Sequence, residues 1–135
     1  MSSGKTPDES DFDTMLEMIK KEIIPATLNY VRDLSEIVTM KQGFNFTVNA
    51  DVETDLLKRI SSVLASLYQK TEKFEKDMAE VSAFKEDAEA LAKFYGTVIL
   101  EDMQEVRRDA DELETLVGEE YWPFPTYGEL LFGVK

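Results

Sequence analysis

Apolar residues recur at steps of three and four along most of this chain, the spacing that places side chains on one face of an α-helix. The first stripe is formed by Phe12, Leu16, Ile19, Ile23, Ala26, Tyr30, Leu34 and Ile37. Pro25 lies within it. Because proline lacks an N–H and crowds the preceding turn, we expect a kink near residues 22–24. Lys41 and Gly43 are typical of a last turn and a C-cap, so this helix is predicted to end there.

Two further runs have the same period. The second stripe is formed by Leu56, Ile60, Val63, Leu67, Thr71, Phe74, Met78 and Val81. The third is formed by Ala88, Leu91, Ala92, Tyr95, Ile99, Met103, Val106, Ala110, Leu113 and Val117. Asn49 or Asp51 is predicted to cap the second helix, and the phase breaks around residues 82–86. We interpret Gly96, inside the third run, as a point of close approach by a neighbouring helix, and Gly118 as its end.

These periods predict the fold class. Three stretches of about thirty residues would form helices of roughly 45 Å, and short links favour antiparallel neighbours. We therefore predict an all-α fold, an antiparallel bundle of three long helices that spans residues 12–118. Residues 1–11 are mostly small and polar, and we expect a disordered leader there. Residues 119–135 are predicted to form a docking tail.

The tail concentrates aromatic residues and prolines in the sequence EEYWPFPTYGELLF, residues 119–132. Trp122 and Phe124 each precede a proline, which favours extended geometry, and residues 126–129 fit a capping box for a short helical turn. So many aromatic side chains are not expected to stay in water. We predict a C-terminal docking hook that consists of Tyr121, Trp122, Pro123, Phe124, Pro125, Tyr127, Leu130, Leu131 and Phe132. Its target is left open between its own bundle, another domain or subunit, and a free recognition role.

The charge balance narrows the range of partners. The chain has 28 acidic and 15 basic residues, a net charge of −13. Nucleic acids and anionic membrane surfaces are bound through clustered lysine and arginine, so we expect neither as a partner. No run approaches the ~18–20 apolar residues of a membrane span, and the N-terminal residues show no secretory signal. We therefore predict a cytoplasmic protein.

Candidate catalytic chemistry is sparse. The sequence contains no cysteine and no histidine, which removes thiolate nucleophiles, Cys/His zinc sites and Ser-His pairs. Four carboxylates share one face of the third helix: Glu101, Glu105, Asp109 and Glu112. A di-metal carboxylate bundle would add histidines, so we interpret this face as a solvated acidic surface, with a metal site as the minor alternative. We predict no catalytic, cofactor-binding or metal-binding residue in this chain.

Three segments carry a resemblance to a known family. They are TMLEMIKKEIIPATLNYVRDLSE at residues 14–36, ETDLLKRISSVLASLYQKTEKFEKD at residues 53–77, and AKFYGTVILEDMQEVRRDADELETLVGEEYWPFPTYGELLF at residues 92–132. Together they resemble the C-terminal helical region of type III glutamine synthetases. The most specific part is ADELETLV followed by YWPFPTYGELLF. The resemblance covers residues 12–132 and only one end of the family's much longer subunit.

The resemblance implies a parent enzyme that joins ammonia to glutamate at the expense of ATP, with Mg or Mn, in large double-ring oligomers. The family's catalytic motifs lie upstream and match no position here, so no catalytic role is carried over. This chain would then be a non-catalytic domain that supports subunit structure or oligomer assembly through the catalytic body of its own subunit or neighbouring subunits. The alternative is a stand-alone acidic helical module that binds or modulates such an enzyme.

Overall fold

The computed structural model describes residues 9–44, 47–84 and 86–124. These residues confirm the predicted all-α class, with three long helical runs and no strand among them. Helix 1 comprises the α-helix Glu9–Met18, the π-helical turn Ile19–Ile23 and the α-helix Ile24–Gln42. Helix 2 is the α-helix Asp51–Ala79, followed by the 3-10 turn Glu80–Phe84. Helix 3 comprises the α-helix Ala88–Phe94, the π-helical turn Tyr95–Ile99 and the α-helix Leu100–Leu116.

Pro25 does not end helix 1. It lies in the first turn of the segment Ile24–Gln42, directly after the π-helical turn Ile19–Ile23. A π turn spaces its hydrogen bonds by five residues instead of four, so the irregularity expected next to the proline is present as a widened turn. The helix also begins earlier than the predicted Phe12, because residues 9–11 are already helical. Residues 1–8 of the predicted leader lie outside the described residues.

The connection between helices 1 and 2 is closed by polar contacts. Asn49 Oδ1 accepts a hydrogen bond of 2.7 Å from the N–H of Asp51, but the N-cap position of helix 2 is Ala50, which makes no side-chain capping bond. Lys41 Nζ donates to the carbonyl of Asn49 at 2.9 Å and to Glu53 Oε2 at 2.7 Å. The predicted phase break near residues 82–86 coincides with the 3-10 turn Glu80–Phe84. Both tight connections reverse the chain direction.

Ion pairs between the helices establish the antiparallel arrangement. Lys41 pairs with Glu53, and farther back along helix 1 Lys20 pairs with Glu75. Moving towards the start of helix 1 therefore means moving towards the end of helix 2, so the two helices are antiparallel. Helices 2 and 3 are antiparallel in the same way. Asp102 contacts Lys73, whereas Asp109, which comes later on helix 3, contacts Ser66, which comes earlier on helix 2.

Helix 2 packs against both other helices, and the predicted stripes supply the core. Its fully buried side chains are Ile60, Leu67 and Phe74, and those of helix 3 are Ile99, Val106 and Leu113. Phe12 joins the three helices near one end of the bundle. Its ring meets Phe74 edge-on, with centroids 5.8 Å apart, and stacks on Tyr95 at 5.9 Å.

The two glycines of the third run have different surroundings from those predicted. A Cβ at Gly96 would meet no atom within 4 Å, so the expected close approach of a neighbouring helix is wrong, and Gly96 instead lies in a π-helical turn. The close approach occurs at Gly118, where a Cβ would lie 3.2 Å from Tyr121 Cδ2 and 3.3 Å from Tyr30 Cε1. Val117 is the C-cap of helix 3, and the chain then turns back over helix 1.

Candidate functional site

The residues after helix 3 turn back onto the bundle. The N–H of Tyr121 donates to the carbonyl of Gly118 at 2.9 Å, and the N–H of Trp122 donates to that of Glu119 at 3.2 Å. This turn brings Tyr121 to helix 1, where its hydroxyl donates to Asp33 Oδ2 at 2.5 Å. Its ring centroid lies 4.8 Å from that of Tyr30. Tyr121 therefore anchors the start of the hook to helix 1, where its partner Asp33 lies 88 positions earlier in the chain.

The Tyr121–Asp33 contact changes the acidity of both groups. The hydrogen bond from Tyr121 lowers the pKa of the Asp33 carboxyl, since it stabilises the carboxylate. The same hydrogen bond, with burial and the nearby negative charge, raises the pKa of the Tyr121 hydroxyl to about 12. The pair is thus a phenol that stays protonated and a carboxylate that stays ionised at neutral pH.

Beyond the anchor, the chain forms one end of an open groove. Trp122 and Phe124 are half-buried and line a cavity of about 540 Å³ between helices 1 and 3. Met15, Met18 and Ile19 line it from helix 1, and Val106, Ala110 and Thr115 line it from helix 3. The groove is mainly apolar at its walls, which suits an apolar side chain better than a polar ligand.

The described part of the predicted hook packs against its own bundle. Tyr121, Trp122 and Phe124 contact the hydrophobic core, while Pro123 is exposed. Pro125, Tyr127, Leu130, Leu131 and Phe132 lie outside the described residues, and so does the predicted capping box at residues 126–129. The docking role of the hook as a whole stays a prediction.

Replacing Tyr121 by phenylalanine keeps the ring against Tyr30 and removes the hydroxyl that Asp33 accepts. We expect the pKa of Asp33 to rise towards its ordinary value, measured by an NMR titration of the carboxyl carbon. Because a lowered carboxyl pKa stabilises the folded state above the unfolded pKa, the variant should melt at a lower temperature at neutral pH. The difference should shrink as the pH falls below about 4 and vanish once the pH is below the lowered pKa of Asp33 in the folded parent chain. A variant with the same Asp33 titration as the parent chain would contradict the contact.

A cluster of charged side chains lies between helices 2 and 3. Asp102 and Asp109 of helix 3 are only 5% and 6% exposed. Lys73 Nζ donates to Asp102 Oδ1 at 2.8 Å and to Asp77 Oδ2 at 2.9 Å. Lys70 Nζ pairs with Glu105 Oε1 at 3.0 Å and Asp109 Oδ2 at 3.2 Å. Each lysine of this cluster therefore contacts two carboxylates: Lys73 contacts one on each helix, and Lys70 contacts two on helix 3.

The prediction of a solvated acidic face on helix 3 is therefore wrong for part of that face. Glu101 and Glu112 are exposed and Glu105 is half-buried, but Asp109 is buried and also accepts a 2.6 Å hydrogen bond from the hydroxyl of Ser66. The physical reason is that the partners come from helix 2, which permits burial of a carboxylate. Asp102, which the sequence reasoning missed, lies at helical spacing from Val106 and was detectable as a polar residue on an apolar stripe.

Asp102 is the most perturbed carboxyl of the cluster. Burial and the neighbouring Asp77 raise the pKa of Asp102 to about 6, against the opposing effect of Lys73. The pKa of Asp77 is lowered by its interactions with Asp102 and Lys73, and the pKa of Lys73 is raised by its two carboxylate partners. Within the described residues, Asp102 Oδ2 is buried without a hydrogen-bond partner. A proton on Asp102, donated to Asp77, fits this arrangement.

The cluster does not fit a divalent metal ion. Among the described residues, no group of three or more His, Cys, Asp or Glu side chains could hold one. The two lysine amines lie against these carboxylates instead. The arrangement holds two helices together.

Across the described ranges, no helix has the length and apolar content needed to cross a membrane.

Comparisons with known proteins identify relatives of the chain. No protein-family model matches it, and no solved structure does. It is 33% identical over 122 residues to a glutamine synthetase of Butyrivibrio fibrisolvens, a match that covers 90% of this chain. It is 25% identical over 122 residues, 88% of the chain, to a type-3 glutamine synthetase of Dictyostelium discoideum. A glutamine synthetase of Bacteroides fragilis (strain YCH46) is 29% identical over 117 residues, 82% of the chain.

The matched part is a small share of each relative. The chain spans 17%, 17% and 16% of the length of these three proteins, in the order given above. The matches cover 117 to 122 residues of this chain, about the length of the range 12–132 over which the sequence resembles the family. The resemblance is thus confirmed: the chain is related over most of its length to one part of glutamine synthetases, the type-3 enzymes among them.

Proposed function

We propose that this chain is a non-catalytic helical segment of a glutamine synthetase and that it supports subunit structure or oligomer assembly. The parent reaction would be the ATP-dependent ligation of ammonia to glutamate. The observation that carries the proposal is the relation itself, which covers 90% of this chain but only 17% of the Butyrivibrio fibrisolvens enzyme. The remainder of such a protein offers ample length for a separate catalytic body.

The polar chemistry of the described residues supports a structural role. Lys70 and Lys73, the lysines between helices 2 and 3, each pair with two carboxylates. Their charges serve helix packing and offer little to a reacting substrate. The whole sequence also lacks histidine and cysteine, the side chains that most often supply general bases and nucleophiles near neutral pH.

One end of the bundle supports the proposed contact with the rest of a synthetase. Met40, Phe44 and Val52 are exposed around the connection between helices 1 and 2. Exposed apolar side chains gathered at one place favour a protein interface. The catalytic body of the same subunit, or a neighbouring subunit, would cover them.

The proposal is tested by exchanging the segment in a relative. The stretch of the Butyrivibrio fibrisolvens enzyme that matches this chain is deleted, and in a second protein it is replaced by residues 11–135 of this chain. We expect the deletion to lower the number of subunits per oligomer or the melting temperature and the replacement to restore both, measured by mass photometry, with the shorter subunit mass taken into account, and by differential scanning fluorimetry. A deleted enzyme with an unchanged number of subunits and an unchanged melting temperature would contradict a role in assembly.

Two control measurements separate the alternatives. The isolated chain, mixed with glutamate, ammonia, ATP and Mg²⁺, is expected to form no glutamine, and turnover by the chain alone would contradict the non-catalytic assignment. Titration of the chain into the intact enzyme, followed by calorimetry and activity, tests the stand-alone module. Tight binding with a change in activity would favour that alternative over a segment of the subunit.

A further inference from the structure

The groove between helices 1 and 3 follows from how the three helices are arranged. Both outer helices pack on helix 2, and at one end they meet through the stack of Phe12 on Tyr95. Farther along, a cavity of about 540 Å³ separates them, with Met15 and Met18 on one wall and Ala110 on the other. Two half-buried methionines and a partly buried alanine form an apolar surface that another apolar segment could cover.

The chain itself leads into this groove. Tyr121 is fixed to helix 1 by its contacts with Asp33 and Tyr30, and the next residues, Trp122 and Phe124, form part of the groove wall. The described chain ends at Phe124. The sequence continues through residue 135 and brings Leu130, Leu131 and Phe132 within eight residues of that point.

We propose that residues 126–132 dock in the groove of their own chain, with Leu130, Leu131 and Phe132 against Met15, Met18 and Ala110. A segment tethered at the rim has an effective concentration on the order of millimolar, so it competes well against any free partner for the same surface. The hook is then an intramolecular cap of the bundle. This inference concerns the isolated chain and does not depend on the proposed role in a synthetase.

The absence of cysteine from the sequence permits a direct test by disulfide cross-linking in the full chain. The test protein carries Thr115→Cys, on the groove wall, together with Leu131→Cys. The matched control carries Ser62→Cys, an exposed position on helix 2, with the same Leu131→Cys. We expect mild oxidation to close the groove pair within one chain severalfold faster than the control pair, measured by mass spectrometry and non-reducing electrophoresis.

Tryptophan fluorescence gives a second readout, because Trp122 is the only tryptophan. Leu131→Asp should displace the segment and increase acrylamide quenching of Trp122, whereas Leu100→Asp, at an exposed position of helix 3, should leave quenching unchanged. Equal cross-linking rates for the two cysteine pairs would overturn the proposal, and so would unchanged quenching in Leu131→Asp. Cross-links formed only between chains would overturn it too, since a second copy would then occupy the groove.

Discussion

Replacing Phe74 by alanine is expected to lower the free energy of unfolding by about 3–5 kcal/mol. That is a large share of the roughly 5–15 kcal/mol that stabilises a typical domain. Phe74 is fully buried on helix 2 and meets the ring of Phe12 from helix 1. Phe12 in turn stacks on Tyr95 of helix 3. The alanine variant therefore loses apolar burial and opens a cavity where the three helices meet.

Urea unfolding followed by far-UV circular dichroism measures this loss. The matched control is Tyr68→Ala on the same helix, where the aromatic side chain is 54% exposed and the expected change is within about 0.5 kcal/mol. The contrast separates loss of burial from the change in helix propensity, which both substitutions share. If Phe74→Ala costs no more than Tyr68→Ala, the meeting point of the three helices is not where the structure places it.

Phe74 also shows why the fold was largely predictable. An apolar side chain at helical spacing needs only a neighbouring helix to become buried, and any packing of three such stripes buries most of their residues. The core positions of helices 2 and 3 were therefore identified without knowledge of their partners. The sequence did not identify the π-helical turns Ile19–Ile23 and Tyr95–Ile99 as such, because a single extra residue in a turn hardly disturbs the apolar period.

Features that depend on a distant partner were harder to predict. Asp109 lies on the acidic face defined by spacing, but the residues that permit its burial, Ser66 and Lys70, lie 43 and 39 positions earlier. Gly118 and Gly96 are the same residue type in the same apolar run, yet only Gly118 faces a ring brought back by the tail. Within the candidate site, the aromatic composition predicted that the hook would be covered. It did not specify Asp33 as the acceptor of its first hydrogen bond.

Asp102→Asn is expected to change how the stability of the protein depends on pH. The pKa of Asp102 is raised to about 6 in the folded protein, above the ordinary value of an aspartate. Between about pH 4 and pH 6 the folded state therefore holds a proton that the unfolded chain has released. This contribution to stability is fully present at low pH and is lost as the pH rises through about 6. The asparagine variant lacks it, while keeping the shape of the side chain and a group that can donate to Asp77.

The measurement is urea unfolding of both proteins at several values from about pH 4.5 to about pH 7.5. We expect Asp102→Asn to gain stability relative to the parent chain by about 1–3 kcal/mol over that range. Asp111→Asn, which removes an exposed carboxylate of the same helix outside the cluster, serves as the control. Asp77 has a lowered pKa, so it titrates below this range in the parent chain. A difference that is independent of pH for Asp102→Asn would mean that the ion pair with Lys73 keeps the folded carboxyl ionised, so that burial does not control its proton.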